Sequence, residues 1–111
     1  MENSTLKKNK NLKTRRNIFL NKNVGKKLLD EILESHKLNK IIKGFVLKSE
    51  KRGFFILTKG DLSAFLPGSE TGFENPKDFN QYIGKNLDFR IDQIINDKLG
   101  LTIVLSRIGV E

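Results

Sequence analysis

The stretch from Lys43 to Ser69, KGFVLKSEKRGFFILTKGDLSAFLPGS, is the part of the chain that most restricts its fold. Two apolar runs, Gly44 to Leu47 and Phe54 to Thr58, flank a charged loop, Ser49 to Arg52, that ends in Gly53. This is the pattern of a β-hairpin with a longer loop. A second turn, Lys59-Gly60-Asp61, leads into a third run, Leu62 to Leu66, and Pro67-Gly68 ends it, because proline has no N–H to give to a ladder and glycine frees the backbone. Three antiparallel strands in a meander follow.

The remaining runs extend the same pattern. Strand one begins near Lys40; if Ile42, Gly44 and Val46 face inward, Lys43, Phe45 and Leu47 face outward, and Gly44 permits the bend that barrel closure needs. Leu87, Phe89 and Ile91 alternate with Asp88, Arg90 and Asp92 in a fourth strand, and Leu101, Ile103 and Leu105 alternate with Thr102, Val104 and Ser106 in a fifth. Between strands three and four, Asn75 is a good helix N-cap, Pro76 fits the first helical position, and Phe79, Tyr82 and Ile83 form an apolar stripe ended by Gly84. About two helical turns are expected there, plugging one end of the barrel. Ahead of the strands, Leu28, Leu29, Ile32 and Leu33 recur at three- and four-residue steps, which predicts an amphipathic helix over residues 24–38.

The run KRGFF followed by GDLSAFLPGS resembles the signature of the ribosomal protein S-one RNA-binding domain, in the subtype found as repeats in the bacterial-type ribosomal protein. The match continues through Ile83-Gly84-Lys85, the strand Leu87 to Ile95, and IVLSR at Ile103 to Arg107, and so covers about the last two thirds of the chain. The resemblance implies an all-β fold: a five-stranded OB-fold Greek-key barrel with a short N-terminal helix and a crossover helix between strands three and four. The expected organisation is a disordered basic arm over residues 1–23, a helix over 24–38, and the OB-fold RNA-binding domain over 39–111.

Charge matters once it is located. The net charge of +8 lies wholly in residues 1–27, which hold nine Lys or Arg and one Glu, whereas residues 28–111 hold twelve of each sign. The arm is too polar to offset the entropy of ordering and reads as disordered alone. A basic arm on a neutral domain points to an anionic partner, nucleic acid before an anionic membrane. Ile18-Phe19-Leu20 within it is an apolar anchor for a partner surface. The alternatives for the arm are a solubilising tail or a targeting leader. The abundance of Lys, Asn and Ile suits an AT-rich genome, so the expected location is the cytoplasm or an organelle, mitochondrion or plastid, in association with ribosomes.

Catalysis finds no support. The chain has no cysteine and one histidine, His36, on the expected helix surface, and Gly25-Lys26 lacks the flanking residues of a P-loop. No cofactor, no metal site and no membrane span are expected.

OB barrels bind single-stranded nucleic acid by stacking bases on exposed aromatics, each stack worth about 1–3 kcal/mol, with cations along the groove. The resemblance places Phe55 as the outward aromatic of strand two, with Phe54 assigned to the core. Phe45 is a second platform residue on strand one. Arg52 stands where many relatives outside the ribosomal subtype carry an aromatic residue, and its guanidinium can both stack and pair with phosphate. Pro67 replaces a histidine with which many of those relatives touch RNA. Asp97 matches an acidic family position, and Lys48, Lys51, Arg90, Lys98 and Arg107 are the backbone-contact candidates. The expected partners are single-stranded RNA, mRNA or rRNA, and proteins of the small ribosomal subunit. A non-ribosomal RNA-binding regulator and a protein-docking OB module are the alternatives.

Overall fold

The computed structural model describes residues 18–110, and the expectation of disorder for residues 1–17 lies outside them. The elements are α1 (Lys26–Lys37), β1 (Ile41–Glu50), β2 (Gly53–Thr58), β3 (Leu62–Pro67), β4 (Asn86–Asp97) and β5 (Gly100–Ser106), with a 3-10 helix at Pro76–Tyr82 in the crossover. The strands close into a barrel in the order β1-β2-β3-β5-β4, with β4 returning to β1. All neighbours are antiparallel except β3 and β5, whose parallel contact is confined to Ala64↔Ile103 and Phe65↔Val104. This is a five-stranded OB-fold barrel.

Period-two alternation sets the interior, because successive side chains on a strand point to opposite faces. Val46, Phe54, Ile56, Ala64, Leu66, Phe89, Ile91, Ile103 and Leu105 are buried, as expected for the inward set. Bulges between Val46 and Lys48 and between Ile91 and Gln93 bend β1 and β4 around the core. The first has a further effect: by leaving Leu47 unpaired it sets Lys48 opposite Phe55, so that both share the outer face. Ser106 departs from the alternation. It is buried where an outward residue was expected, since the turn after β3 brings Glu70 over it, with the Ser106 hydroxyl donating to Glu70 Oε1 at 2.6 Å.

The crossover runs as a 3-10 helix. Asn75 caps it by accepting from the Lys77 N–H at 3.1 Å, Pro76 occupies the first position, and the fully buried Phe79 meets Phe54 edge-on at 4.9 Å. Tyr82 and Phe73 complete this aromatic plug, whereas Ile83 stays exposed. Filling a barrel end with four rings buries large apolar surface at about 25 cal/mol per Å². Helix α1 lays Leu28, Leu29 and Ile32 on the barrel, mainly against β4. An ion pair between Lys59 and Glu31 at 2.9 Å pins its outer edge to the β2–β3 turn. The hydrogen bond from Lys59, then its charge, holds the Glu31 carboxyl below the ordinary carboxylate range, with Lys27 adding to the shift.

Candidate nucleic-acid interface

The outer face of β2, β3 and β5 carries Phe55, Phe65, Thr102 and Val104, each half-buried. Phe55 and Phe65 are direct cross-strand partners, which sets their rings side by side. Gly53 makes room for the second ring: a Cβ there would lie 2.6 Å from Phe65 Cε1 and 2.3 Å from the Leu66 carbonyl oxygen. The glycine that ends the first hairpin is thus also a seat for an aromatic of the next strand.

A third ring joins them from outside the barrel. Phe19 packs on Phe65 at 4.8 Å between centroids and on Phe55 at 5.3 Å, tilted by 50° and 44°. The apolar triplet expected to anchor on a partner is anchored here on the chain's own barrel. What holds it is Asn21. Beyond Ala64 and Ile103 the parallel strands β3 and β5 separate, and Asn21 fills the seam. Its backbone exchanges two hydrogen bonds with Leu101, both 2.8 Å, while its side-chain amide donates to the Ser63 carbonyl at 2.9 Å and accepts from the Ser63 N–H at 2.7 Å. One residue thereby satisfies main-chain groups of two strands that would otherwise lack partners. Gly100 admits the close pass, since a Cβ there would stand 2.4 Å from the Asn21 carbonyl oxygen, and its φ of +141° also favours glycine. At about 0.5–1.5 kcal/mol net each, these four hydrogen bonds hold residues 18–21, a strap across the seam, by about 2–6 kcal/mol. A single stacked base is worth about 1–3 kcal/mol.

Beside the rings lies an open cleft of about 610 Å³, lined by Phe19, Phe65, Thr102 and Val104 and by Lys51 and Arg52 of the hairpin turn. No acidic side chain lines it among the described residues. Arg52 takes a left-handed backbone, φ +70°, at the hairpin tip, and its carbonyl accepts from the Gly68 N–H at 2.8 Å, which ties the tip to the end of β3. Lys51 and Arg52 are exposed and make no ion pair among the described residues. Lys48 stands 5.8 Å from the Phe55 centroid and is paired with Glu50 at 3.1 Å. The cleft by the helix, in contrast, mixes Glu31 and Glu34 with Lys40, Lys43 and Lys59.

The other expected contact residues are dispersed. Phe45 lies on the outer face of β1, opposite Leu57 and Asn86, and is not a member of the ring cluster. Arg90 Nε donates to the Ile108 carbonyl at 2.7 Å, and Arg107 Nη1 donates to the Asp88 carbonyl at 2.8 Å while its guanidinium lies 5.9 Å from the Phe89 ring. Both arginines tie the C-terminal segment to β4, away from Phe55. Asp97 accepts from the Leu99 N–H at 2.9 Å in the tight turn that joins β4 to β5, and Lys98 is exposed at its tip. Sequence reasoning passed over Phe65 and Asn21. The outward parity of Phe65 in the Leu62 to Leu66 run carried the signal for the first; nothing local carried it for the second.

No family model matches the sequence, and no curated protein matches it. Among solved structures, the uncharacterized protein MJ1198 from Methanocaldococcus jannaschii is similar, with a TM-score of 0.53 and 22% identity over 66% of this chain and 93% of that one. GSP13 from Bacillus subtilis gives a TM-score of 0.48 and 21% identity over 61% of this chain, which spans about half, 52%, of GSP13. The likeness to MJ1198 is one of fold.

Proposed function

We propose that the protein is a single-stranded RNA-binding module of the ribosomal protein S-one type that acts in translation on the small ribosomal subunit. The observation that carries this reading is the cleft in which Phe19 and Phe65, two of the three clustered rings, lie with Lys51 and Arg52, with no acidic lining side chain and no ion pair to either cation among the described residues. Aromatic faces accept bases of any identity, and cations beside them take the phosphates. The KRGFF and GDLSAFLPGS runs, whose resemblance is to that domain, supply Arg52 and Phe55, which supports the same reading. In this reading mRNA or rRNA is the ligand, small-subunit proteins are neighbours, the site is cytoplasmic or organellar, and the protein is a binder, not an enzyme.

The test is titration of a labelled single-stranded RNA with the full chain and its Phe55→Ala and Arg52→Ala variants across a salt series, with sedimentation of the wild type alongside ribosomal subunits. Phe55→Ala should weaken binding by about 1 kcal/mol or more. RNA binding indifferent to both substitutions would sink the assignment of this face. Absence from small-subunit fractions at low and high salt alike would remove the ribosomal part and leave a free RNA-binding regulator.

One observation favours a second reading. Phe19 shows that the platform accepts a side chain from a peptide segment, and residues 28–111 are net neutral, both of which suit docking on a protein. In that case Phe55→Ala would weaken partner binding and leave RNA affinity to the basic arm.

A further inference from the structure

Resting on the RNA-binding reading, we infer that Phe19 is the third ring of a composite stacking platform, fixed there by Asn21, and that an unpaired base of single-stranded RNA stacks on that platform within the cleft that Lys51 and Arg52 also line. The strap is therefore part of the binding surface and not a cover that RNA must remove.

Three observations converge on this. Phe19 packs on both Phe55 and Phe65 and lines the cleft together with Phe65, so it belongs to the same aromatic surface. Asn21 locks the strap through main chain and side chain together, and Gly100 omits the one atom that would push it off. That lock of four hydrogen bonds matches or exceeds the gain from one stack, so a base adds to the rings in place of displacing the strap. Lys51 and Arg52 line the same cleft as Phe19, with no acidic side chain among its described lining residues, so cations for the phosphates and a ring for the base share one surface. Phe19 is the contact residue; Asn21 positions it.

The chain has no tryptophan, which makes Phe19→Trp a direct probe. An oligouridylate of about ten nucleotides, within the span of one OB barrel, is titrated into the full-length protein carrying that substitution. Saturable quenching of the indole without a shift toward the emission of solvated indole is expected. In parallel, Phe19→Ala should raise the Kd about fivefold or more, Phe19→Trp should retain wild-type affinity, and Asn21→Ala should weaken binding with no additional loss in the double variant, since Asn21 acts through Phe19. A fluorescence shift to solvated indole, or tighter binding by Phe19→Ala, would make the strap a displaceable cover and overturn the inference. So would Phe19→Ala binding like wild type while Phe55→Ala weakens, which leaves the RNA reading intact. If neither Phe55→Ala nor Phe19→Ala alters RNA binding and no quenching occurs, the RNA reading falls with it, and a protein occupant of the platform takes its place.

Discussion

Two regions of this barrel carry similar numbers of cations and use them in opposite ways. On the side formed by β1, β4 and the C-terminal segment, Lys43 is paired with Asp88 at 2.7 Å, and Arg90 and Arg107 reach main-chain carbonyls of Ile108 and Asp88. On the side formed by β2, β3 and β5, Lys51 and Arg52 stand exposed in a cleft they share with Phe19 and Phe65, with no acidic lining side chain among the described residues. The first set closes the structure; the second makes no ion pair among the described residues. Positive charge alone does not mark an interface. Pairing decides it, because a cation already satisfied by a carbonyl or carboxylate must lose that partner before it can take a phosphate.

The sharpest way to break this contrast is Arg107→Ala. It removes a charged hydrogen bond to the Asp88 carbonyl and the contact with the Phe89 ring, and should destabilise the fold by about 1.5–3 kcal/mol in urea unfolding. RNA affinity of the folded fraction should not change; a loss would put Arg107 in the interface after all. Arg52→Ala should do the reverse. Stability should shift by less than about 0.5 kcal/mol, while RNA binding weakens by up to about 1 kcal/mol and the salt slope falls by about 0.7, one phosphate contact on a single strand. Lys43→Ala should change neither unfolding nor RNA binding by more than about 0.5 kcal/mol, as befits an exposed ion pair.

The smallest effect concerns pH. Folding lowers the Glu31 pKa through Lys59, so the native state holds fewer protons at this group, and its stabilising contact is complete above the ordinary carboxylate range. It is lost as pH falls through the lowered folded value. Glu31→Gln should therefore narrow the difference in stability between neutral and acidic pH, read from unfolding midpoints, and leave RNA binding at neutral pH unchanged.

Strand positions and facing were legible in the sequence because the side-chain period of a strand is two and the chain is rich in signals that interrupt it. Gly53, Pro67 and Gly84 fall at or beside strand ends, and Phe54 and Phe55 divide between core and surface as alternation requires. The crossover appeared as a helix from its cap, its proline and Phe79, but the contacts of Phe79 with Phe54 and Phe73 that seat it on the barrel join distant positions and are not encoded locally. The candidate interface was legible only where it is local. Arg52, Lys51 and Phe55 sit in one hairpin and came into view together. Asn21 lies 42 positions from Ser63 and 80 from Leu101. Within a segment of lysines and asparagines, nothing distinguishes the one asparagine that bridges two strands from its neighbours.

That separation has a kinetic consequence. Asn21 has no site to occupy until β3 and β5, themselves distant in the chain, already lie side by side, so its hydrogen bonds form after the barrel's rate-limiting assembly. Interactions made after the transition state govern escape from the native state and not arrival at it. The strap acts as a latch on a finished barrel: with Asn21→Ala the protein should fold at an unchanged rate and unfold faster, and the lifetime of its closed seam, more than its formation, is what this single side chain sets.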